Sequence, residues 1–523
     1  MDKNDKYSHW IDSARLTEDI KDKSIKGGIS TSTNQLINFG LNLISTFILA
    51  RILLPSDFGL IGMVTAFTGF SNIIQDMGLS MAVIQKERIT QTQVSNLFWI
   101  NISVCLGLAL VFVGASPLIV SLYNHDTRIY PIILSYAVGI AIGGLSIQHN
   151  ALLSRKMYFG TIAKGHILAT AISVLLGIVA ALLGMGYWSI VILNISGNVL
   201  YTCFIWFLCD WRPSIFKWKE KVKDFIHFGA GISGFNVINY FSRNCDNILI
   251  GNRLGPTAVG FYSKAFQLLT LPINQLRNPL MTVAIPAMSA LKEDVQRYTK
   301  YYRKYVFVLA FFSMPLVASL AIFSRELITV VLGTQWTESS YIYSGLAISA
   351  FVQPVSSSIG LVMISYGHSK RYFIWGCINS CVTILGFLIG IHWGTMGVVY
   401  SLSITTYGLL IPALLFGFSK TPIKPEIFFN EISLPFIHTI ALGIFLYFAK
   451  MAISDVFSAA LVFTLVTPLA IILYYLSWKL YPMGKQKIAI IEDVATTVTY
   501  KFRERSNLIN RIIQIIRPCE RSN

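Results

Sequence analysis

Apolar runs of about 20 residues recur from one end of the chain to the other, and short polar connections separate them. The hydrocarbon core of a bilayer is about 30 Å thick, and a helix needs about 20 apolar residues to cross it. The runs are too long for barrel strands and lack the alternation of two that such strands require. We therefore predict an all-α, polytopic membrane protein with about fourteen spans. The predicted spans lie near residues 29–53, 58–84, 94–122, 130–152, 158–183, 186–209, 224–251, 256–288, 304–332, 341–366, 372–391, 396–418, 433–452 and 456–480.

The basic residues of the connections indicate how the chain is oriented in the membrane. Lys and Arg are concentrated in every second connection, as in Lys86 and Arg88 or in Arg155 and Lys156, and the intervening connections contain few. Cytoplasmic connections carry such an excess. The first 27 residues are polar and lack the apolar core of a signal peptide. The pattern predicts two cytoplasmic termini, because an even number of spans returns the chain to its starting side.

Composition excludes several classes of protein. Only 13% of the 523 residues are charged and 54% are hydrophobic, whereas a soluble domain carries about 25% charged residues. These values exclude a soluble enzyme and a disordered protein. Lys and Arg number 42 against 25 Asp and Glu, a formal net charge of +17. Basic proteins often bind nucleic acid, but apolar runs dilute the charge here, and we expect no nucleic-acid partner.

The residue pattern contains no catalytic or metal-binding signature. Seven cysteines lie mostly within predicted spans. Cys377 and Cys381 are one helical turn apart, but no His or acid accompanies them at ligand spacing. We interpret the cysteines as small apolar core residues and expect no metal and no cofactor. The chain also lacks an ATP-binding phosphate loop and a G-x-S-x-G elbow, so we do not expect an enzyme.

An internal repeat divides the chain. A shift of 201 positions places "QLINFGLNLISTFILARILLPSDFGL" over "NVINYFSRNCDNILIGNRLGPTAVGF", so that Pro55 meets Pro256 and Gly59 meets Gly260. A weaker match joins "SRKMYF" to "SKRYF". Both copies have the same orientation, which predicts a symmetry axis along the membrane normal, as in carriers that rock one half against the other. Large bundles without a transport role are the alternative.

The repeat predicts six parts. Residues 1–27 are a cytoplasmic segment, 28–209 the first six-helix lobe and 224–420 the second lobe. Residues 210–223 form a basic cytoplasmic linker, and 421–480 contain two additional spans. In the tail 481–523, apolar residues at helical spacing alternate with Arg, which predicts an amphipathic helix on the anionic cytoplasmic leaflet.

The ordered motifs resemble a known family. They include "ILARILLPSDFGL", "QDMGLSMAVIQ", "NLFWIN", "GYWSIV", "DWRPS", "GFYSKAFQLLTLPI" and "VLGTQW". From about residue 28 to 420 the chain is similar to Wzx-type polysaccharide exporters, the oligosaccharide flippases related to lipid II flippases and multidrug extruders. The likeness is to colanic-acid-type exporters in particular.

The resemblance implies a cargo and a mechanism. An undecaprenyl-diphosphate-linked oligosaccharide would be flipped outward across the bacterial inner membrane by alternating access, for surface polysaccharide synthesis. Membrane lipids, a polysaccharide polymerase and the synthesis machinery are the implied partners. A drug or cation extruder of the same superfamily and a membrane polysaccharide polymerase are the alternatives.

Ionisable residues at bilayer depth are candidate functional residues, because burial in lipid is costly. Arg243 and Asp246 are three residues apart in the seventh span, and Arg243 occupies the repeat position of Asn42. Such spacing places both on one helical face. We hypothesise that Arg243 binds a phosphate. Asp246 would hold the guanidinium group of Arg243, or it would take part in coupling or gating of transport. Mutual neutralisation within the bundle is the alternative.

Two further cations would extend this site. Lys264 and Arg277 follow in the eighth span, at the repeat positions of Met63 and Asp76. The guanidinium group of an Arg can donate two hydrogen bonds to a diphosphate, and the ammonium group of a Lys attracts it as a point charge. We also hypothesise that Asp76 and Arg277 form a gating contact between the lobes in one access state. Both cations would otherwise extend to the headgroups.

Polar residues of the first lobe are candidates for the remainder of the site. Lys164 and His166 begin the fifth span, where they would line a cytoplasmic mouth or anchor headgroups. Asn38 and Asn42 lie at helical spacing in the first span, which suits sugar binding or contacts between helices.

The first outer turn, "ARILLPSDFG", carries two charged residues. Arg51 and Asp57 flank it. We interpret them as a structural pair that shapes the turn.

The gating hypothesis predicts the outcome of a charge exchange. Asp76→Arg and Arg277→Asp should each reduce transport, and the double variant should restore it, because the opposite charges would meet again in exchanged positions. Transport by both single variants and the double variant is the measurement. A double variant as inactive as the single ones would contradict the hypothesis.

Overall fold

The computed structural model describes Trp10 and residues 20–76, 78–86, 89–217, 223–453, 459–481, 484, 487–489 and 491–492. Much of the predicted N-terminal segment, residues 218–222 of the linker and most of the predicted tail lie outside the described residues. Every regular element in the described part is helical. The all-α prediction is confirmed for this part.

Nineteen α-helices are described, and several predicted spans consist of two or three of them. They are α1 (Ile20–Ile52), α2 (Pro55–Thr68), α3 (Ser71–Asp76), α4 (Leu79–Gln85), α5 (Gln91–Leu122), α6 (Ile129–Gly144), α7 (Ile147–Arg155), α8 (Phe159–Leu182), α9 (Trp188–Leu208), α10 (Lys223–Ala290), α11 (Val295–Ile322), α12 (Ser324–Val331), α13 (Thr337–Ser356), α14 (Ser358–Ser365), α15 (Ser369–Gly390), α16 (Gly394–Gly408), α17 (Leu410–Phe418), α18 (Pro425–Ile453) and α19 (Ala459–Leu480). Two 3-10 turns, Thr334–Trp336 and Ile391–Trp393, precede α13 and α16.

The described part contains ten helical segments that are long and apolar enough to cross a membrane. One of them, Ser369–Phe418, covers two predicted spans. Helix α10 also covers two, and its direction changes at Gly255, where φ is 81° and ψ is −178°. Glycine adopts this backbone conformation readily, because it has no Cβ. The protein is therefore a multi-pass membrane protein, and the number fourteen stays a prediction.

The chain forms two compact units. The first unit comprises Met1–Leu268, Ile328–Leu346 and Phe373–Leu409, and the second comprises Leu269–Leu327, Ala347–Tyr372 and Leu410–Asn523. The first unit thus contains residues of both sequence copies. The lobe boundaries derived from the repeat stay predictions.

The two copies contact each other crosswise in the first unit. A Cβ on Gly59 would lie 1.6 Å from the carbonyl oxygen of Pro256, and one on Gly260 would lie 1.9 Å from that of Pro55. Pro55 and Pro256 are repeat-related, and so are Gly59 and Gly260. The same backbone-to-backbone contact is therefore made twice, with the roles of the copies exchanged. Only glycine permits so close an approach.

The first half of the basic linker is bound along α5. Residues 210–217 have no regular secondary structure, and side chains at the start of α5 bind polar groups of their backbone. Asn96 binds both the N–H and the C=O of Lys217, at 2.9 and 2.8 Å. The buried indole of Trp211 donates to Gln91 Oε1 at 2.6 Å. The motif "DWRPS" therefore holds this half of the linker against the first copy.

Trp10 attaches the N-terminal segment to the same region. Its indole N–H donates to Asp210 Oδ1 at 2.6 Å, and its ring lies edge-on to Tyr158. The side chain is buried in an apolar cluster with Ile89 and Trp211. At least this residue of the N-terminal segment is therefore part of the folded core.

The second unit packs α11, α18 and α19 around an aromatic core, which includes Phe307, Phe311, Phe323, Tyr474 and Trp478. Near one end of this core, Lys450 Nζ contacts Glu326 at 2.8 Å. At another site, Glu431 binds Lys487 Nζ at 2.8 Å and lies 4.0 Å from Arg303. Because Ile488 is buried in the same core, the start of the predicted tail packs on protein. The location of the rest of the tail stays a prediction.

The crosswise contact makes Gly59 and Gly260 intolerant of a methyl group. We expect Gly59→Ala or Gly260→Ala to lower the free energy of unfolding by about 1–3 kcal/mol, because the backbones must separate. Gly107→Ala is the matched control, since nothing lies within 4 Å of a Cβ on this α5 glycine. Thermal unfolding of the purified variants measures the difference. Equal stability of all three variants would contradict the close contact.

Candidate functional site

The asparagines of α1 form a ladder along one helical face. The side chain of Asn42 donates to the backbone carbonyl of Asn38 at 2.8 Å, and that of Asn38 donates to the carbonyl of Asn34 at 3.0 Å. Asn42 is exposed, whereas Oδ1 of Asn38 is buried and accepts no hydrogen bond. The ladder thus leaves the Asn42 side chain exposed, and the sugar-binding role of the two residues stays a prediction.

Arg243 and Asp246 do not pair as predicted. Arg243 is exposed on α10, while Asp246 is buried. The Asp246 carboxyl group accepts a hydrogen bond from the Tyr262 hydroxyl at 2.7 Å and another from the backbone N–H of Asn247 at 2.7 Å. Because Tyr262 follows the Gly255 kink, this bond joins the two arms of α10. Asp246 therefore supports the helix, and the Arg243 guanidinium remains at the surface of the protein.

Lys264 lies near the crosswise contact, in the second arm of α10. Its ammonium nitrogen is 4.3 Å from the centre of the Phe58 ring. It also donates to Gln267 Oε1 at 3.0 Å. Among the described residues, neither of its partners is a carboxylate. A half-buried cation with only neutral partners retains most of its capacity to bind an anion.

Arg277 and Asp76 are described separately, because they belong to different units. Arg277 is half-buried in the second unit, and its guanidinium lies 3.3 Å from Asn278 Oδ1. Asp76 ends α3 in the first unit, where its carboxyl group accepts from the backbone N–H of Ser80 at 3.0 Å. The contact between them stays a prediction.

Lys164 and His166 lie near the start of α8, and both are exposed. The His166 ring stacks on Tyr201, with ring centres 4.0 Å apart. The Tyr201 hydroxyl donates in turn to Asn150 Oδ1 at 2.6 Å. A stacked aromatic and imidazole pair is a surface on which a sugar ring can pack. Their role as a cytoplasmic mouth stays a prediction.

Arg51 and Asp57 bind different partners around the outer turn. Asp57 Oδ2 accepts from the backbone N–H of Leu54 at 3.0 Å and so caps the start of α2. Arg51 instead donates to the carbonyl of Val330 at 2.6 Å, in the second copy. Asp57 therefore caps the turn, whereas Arg51 binds the turn to another part of the first unit.

Sequence reasoning missed the residues that complete this contact. Gln335 donates to the carbonyls of Ala50 and Leu53, and the buried indole of Trp336 donates to Ala50 at 2.7 Å. The Ala50 carbonyl lies in the last turn of α1, where carbonyls lack helical partners, and Leu53 follows directly after the helix. We refer to the carbonyls of these two residues as the α1 carbonyls. We use the name outer clasp for the set formed by Arg51, Gln335, Trp336 and the α1 carbonyls.

The ring of Phe58 extends the outer clasp toward Lys264. Its centre lies 5.5 Å from that of Trp336, in an edge-on arrangement. Trp336 has a second edge-on neighbour, Phe261, at 6.0 Å. The signal for Gln335 and Trp336 was present in the motif "VLGTQW", where a glycine precedes a polar residue and a Trp. No spacing rule, however, links this motif to the end of a helix about 280 residues earlier.

Comparison with known proteins assigns the chain to a family. Residues 48–341, more than half of the chain, match the model of a family described as polysaccharide biosynthesis protein. The chain belongs to this family. The matched range includes the crosswise contact, Arg243, Lys264 and the outer clasp.

Two curated relatives and one solved structure illustrate this membership. Teichuronic acid biosynthesis protein TuaB of Bacillus subtilis (strain 168) is 27% identical over 80% of this chain and 88% of the relative. Lipopolysaccharide biosynthesis protein WzxC of Escherichia coli (strain K12) is 22% identical over 71% and 76%. The lipid II flippase MurJ in an inward closed conformation superposes with a TM-score of 0.68 and 15% identity, covering 86% of this chain and 97% of that one. The family member thus has the fold of this transporter.

The site contains no group suited to a metal. Among the described residues, no set of three His, Cys, Asp or Glu side chains is placed to hold a metal ion. The chemistry that the site offers is the binding of anions by Arg and Lys, and of hydroxyl groups by amides and aromatic rings.

The bond between Asp246 and Tyr262 predicts a specific stability pattern. Tyr262→Phe should lower the free energy of unfolding by about 1–3 kcal/mol, because the buried carboxyl group loses its hydroxyl donor. Arg243→Gln should change it by less than about 0.5 kcal/mol, because the side chain is exposed. Thermal unfolding of the purified variants is the measurement. An effect of Arg243→Gln as large as that of Tyr262→Phe would instead support the ion pair predicted from the sequence.

Proposed function

We propose that the protein flips a polyprenyl-diphosphate-linked oligosaccharide from the cytoplasmic to the outer leaflet of the bacterial inner membrane, for surface polysaccharide synthesis. The observation that carries the proposal is the crosswise contact between two sequence copies in a member of a polysaccharide biosynthesis family. Repeat-related helices that meet at an axis are the arrangement by which carriers alternate access. The fold shared with a lipid II flippase adds support.

The cargo class follows from the chemistry of the site. A diphosphate requires cations, and Arg243 and Lys264 supply two in the part of α10 that belongs to the first unit. Sugars require uncharged hydrogen-bonding groups, which the ladder of Asn38 and Asn42 offers. The polyprenyl chain would remain in the bilayer while the polar head crosses through the protein.

The mechanism needs no covalent chemistry. The head group enters from the cytoplasm near Lys164 and His166, binds the cations, and leaves at the outer turns after the two copies rock about their common axis. The protein is then a transporter and not an enzyme. With both termini cytoplasmic, the outer clasp faces outside, and the bound half of the linker faces the polysaccharide synthesis machinery. Asp76 and Arg277 are the proposed gating pair.

Deletion of the gene in the native host tests the proposal. We expect undecaprenyl-diphosphate-linked oligosaccharide to accumulate on the cytoplasmic leaflet and surface polysaccharide to disappear. Single flipped units that accumulate outside would point to a polymerase. Unchanged polysaccharide combined with increased sensitivity to cationic drugs would point to an extruder, and either result would overturn the proposal.

Complementation of the deletion tests the cationic site. Arg243→Gln should reduce export about tenfold or more, because a charged contact to a phosphate is lost. Arg253→Gln is the matched control, since this exposed Arg lies on the same helix. Surface polysaccharide, normalised to the amount of protein in the membrane, is the measurement. Equal export by the two variants would remove Arg243 from the site.

A further inference from the structure

A continuous path of contacts leads from Lys264 to the end of α1. The Lys264 ammonium group lies over the Phe58 ring at 4.3 Å, and Phe58 lies edge-on to Trp336 at 5.5 Å. Trp336 donates to the Ala50 carbonyl at 2.7 Å. All four residues belong to the first unit. A change at the ammonium group is therefore two contacts away from the bond that closes the outer clasp.

The fold does not require a cation at this position. The first copy has Met63 where the second has Lys264. The Met63 side chain packs against Gly251, where a Cβ would lie 2.9 Å from its Cγ, and so it fills an apolar space. A Lys in the matching place carries a charge that its described partners, a ring and an amide oxygen, do not neutralise. Because a charge at this depth is costly to bury, a role in ligand binding explains this Lys better than a role in packing.

We propose that Lys264 is the trigger of the outer clasp, so that the clasp opens when the anionic diphosphate head of the cargo draws the ammonium group away from Phe58. This inference rests on the proposed function. It assigns to Lys264 a role beyond binding, because recognition of the cargo and opening of the exit become one event.

The relative strengths of the contacts favour this sequence of events. A cation over an aromatic ring is held only by the attraction of the ring quadrupole, which is a modest interaction. Hydrogen bonds between a Lys and a phosphate are charge-assisted and stronger, so a diphosphate within reach outcompetes the ring. Phe58 then loses the cation over its ring, which weakens the chain of contacts that runs through its edge-on contact with Trp336. The hydrogen bonds of Gln335 and Trp336 to the α1 carbonyls must also break before the outer turn can separate.

A cysteine probe beside the clasp measures its opening. Ser339 is fully buried, and its hydroxyl donates to the Phe261 carbonyl at 3.0 Å. The full chain, with its seven native cysteines replaced by serine and Ser339→Cys introduced, is placed in nanodiscs with or without undecaprenyl diphosphate. Labelling by a polar maleimide should become about threefold to tenfold faster with the diphosphate lipid. The neutral lipid undecaprenol should have no effect.

Three variants on this background separate the trigger from simple binding. Lys264→Met introduces the residue of the first copy and removes the ammonium group from Phe58, so it should label about threefold to tenfold faster than the parent without lipid and should not respond further to the diphosphate lipid. Trp336→Phe removes the indole donor and should label rapidly even without the lipid. Arg253→Gln is the control on the same helix and should respond as the parent does.

Two sets of outcomes would overturn the proposal. An undiminished response in Lys264→Met, or an equal response to undecaprenol, would show that another group or the lipid tail opens the clasp. No response in the parent, together with cytoplasmic accumulation of the cargo in the deletion strain, would reject the trigger and leave the proposed function standing. No response and no accumulation would reject both.

Discussion

Much of the first unit depends on one steric constraint: the backbones of α2 and α10 are in direct contact. Gly59 and Gly260 lack the Cβ that would otherwise hold the helices apart, and the prolines opposite them end the preceding helical segments. Near this contact, Trp336 and Gln335 of the second copy donate to the Ala50 carbonyl of the first copy.

Positive charge is found in two kinds of place in this protein. Most of the excess of Lys and Arg lies in alternate predicted connections, and this pattern is the basis of the predicted orientation in the membrane. A few cations lie within α10, and each has a different environment. Arg243 is exposed, Lys264 contacts a ring and an amide, and Arg277 contacts Asn278. The net charge of +17 therefore arises mostly outside α10.

The sequence predicted what depends on local pattern and failed where a contact depends on distant residues. Apolar runs of about 20 residues have one physical solution in a bilayer, so the helical class followed directly. The repeat identified Pro55, Gly59 and their partners because the same steric demand preserved the same residues. Helical spacing also suggested an ion pair between Arg243 and Asp246, yet Tyr262 competes for the carboxyl group from beyond the Gly255 kink. Rules based on local sequence predict neither that kink nor the distant carbonyl to which Trp336 donates.

The crosswise contact also bears on the origin of the chain. In a twofold-symmetric homodimer, a residue i of one subunit meets j of the other, and j meets i. Pro55 with Gly260 and Gly59 with Pro256 satisfy this relation within a single chain. An ancestral protein of one copy would have dimerised through this surface before gene fusion joined the halves. After such a fusion the two halves are free to diverge, and the difference between Met63 and Lys264 is one that a symmetric dimer of identical subunits could not have.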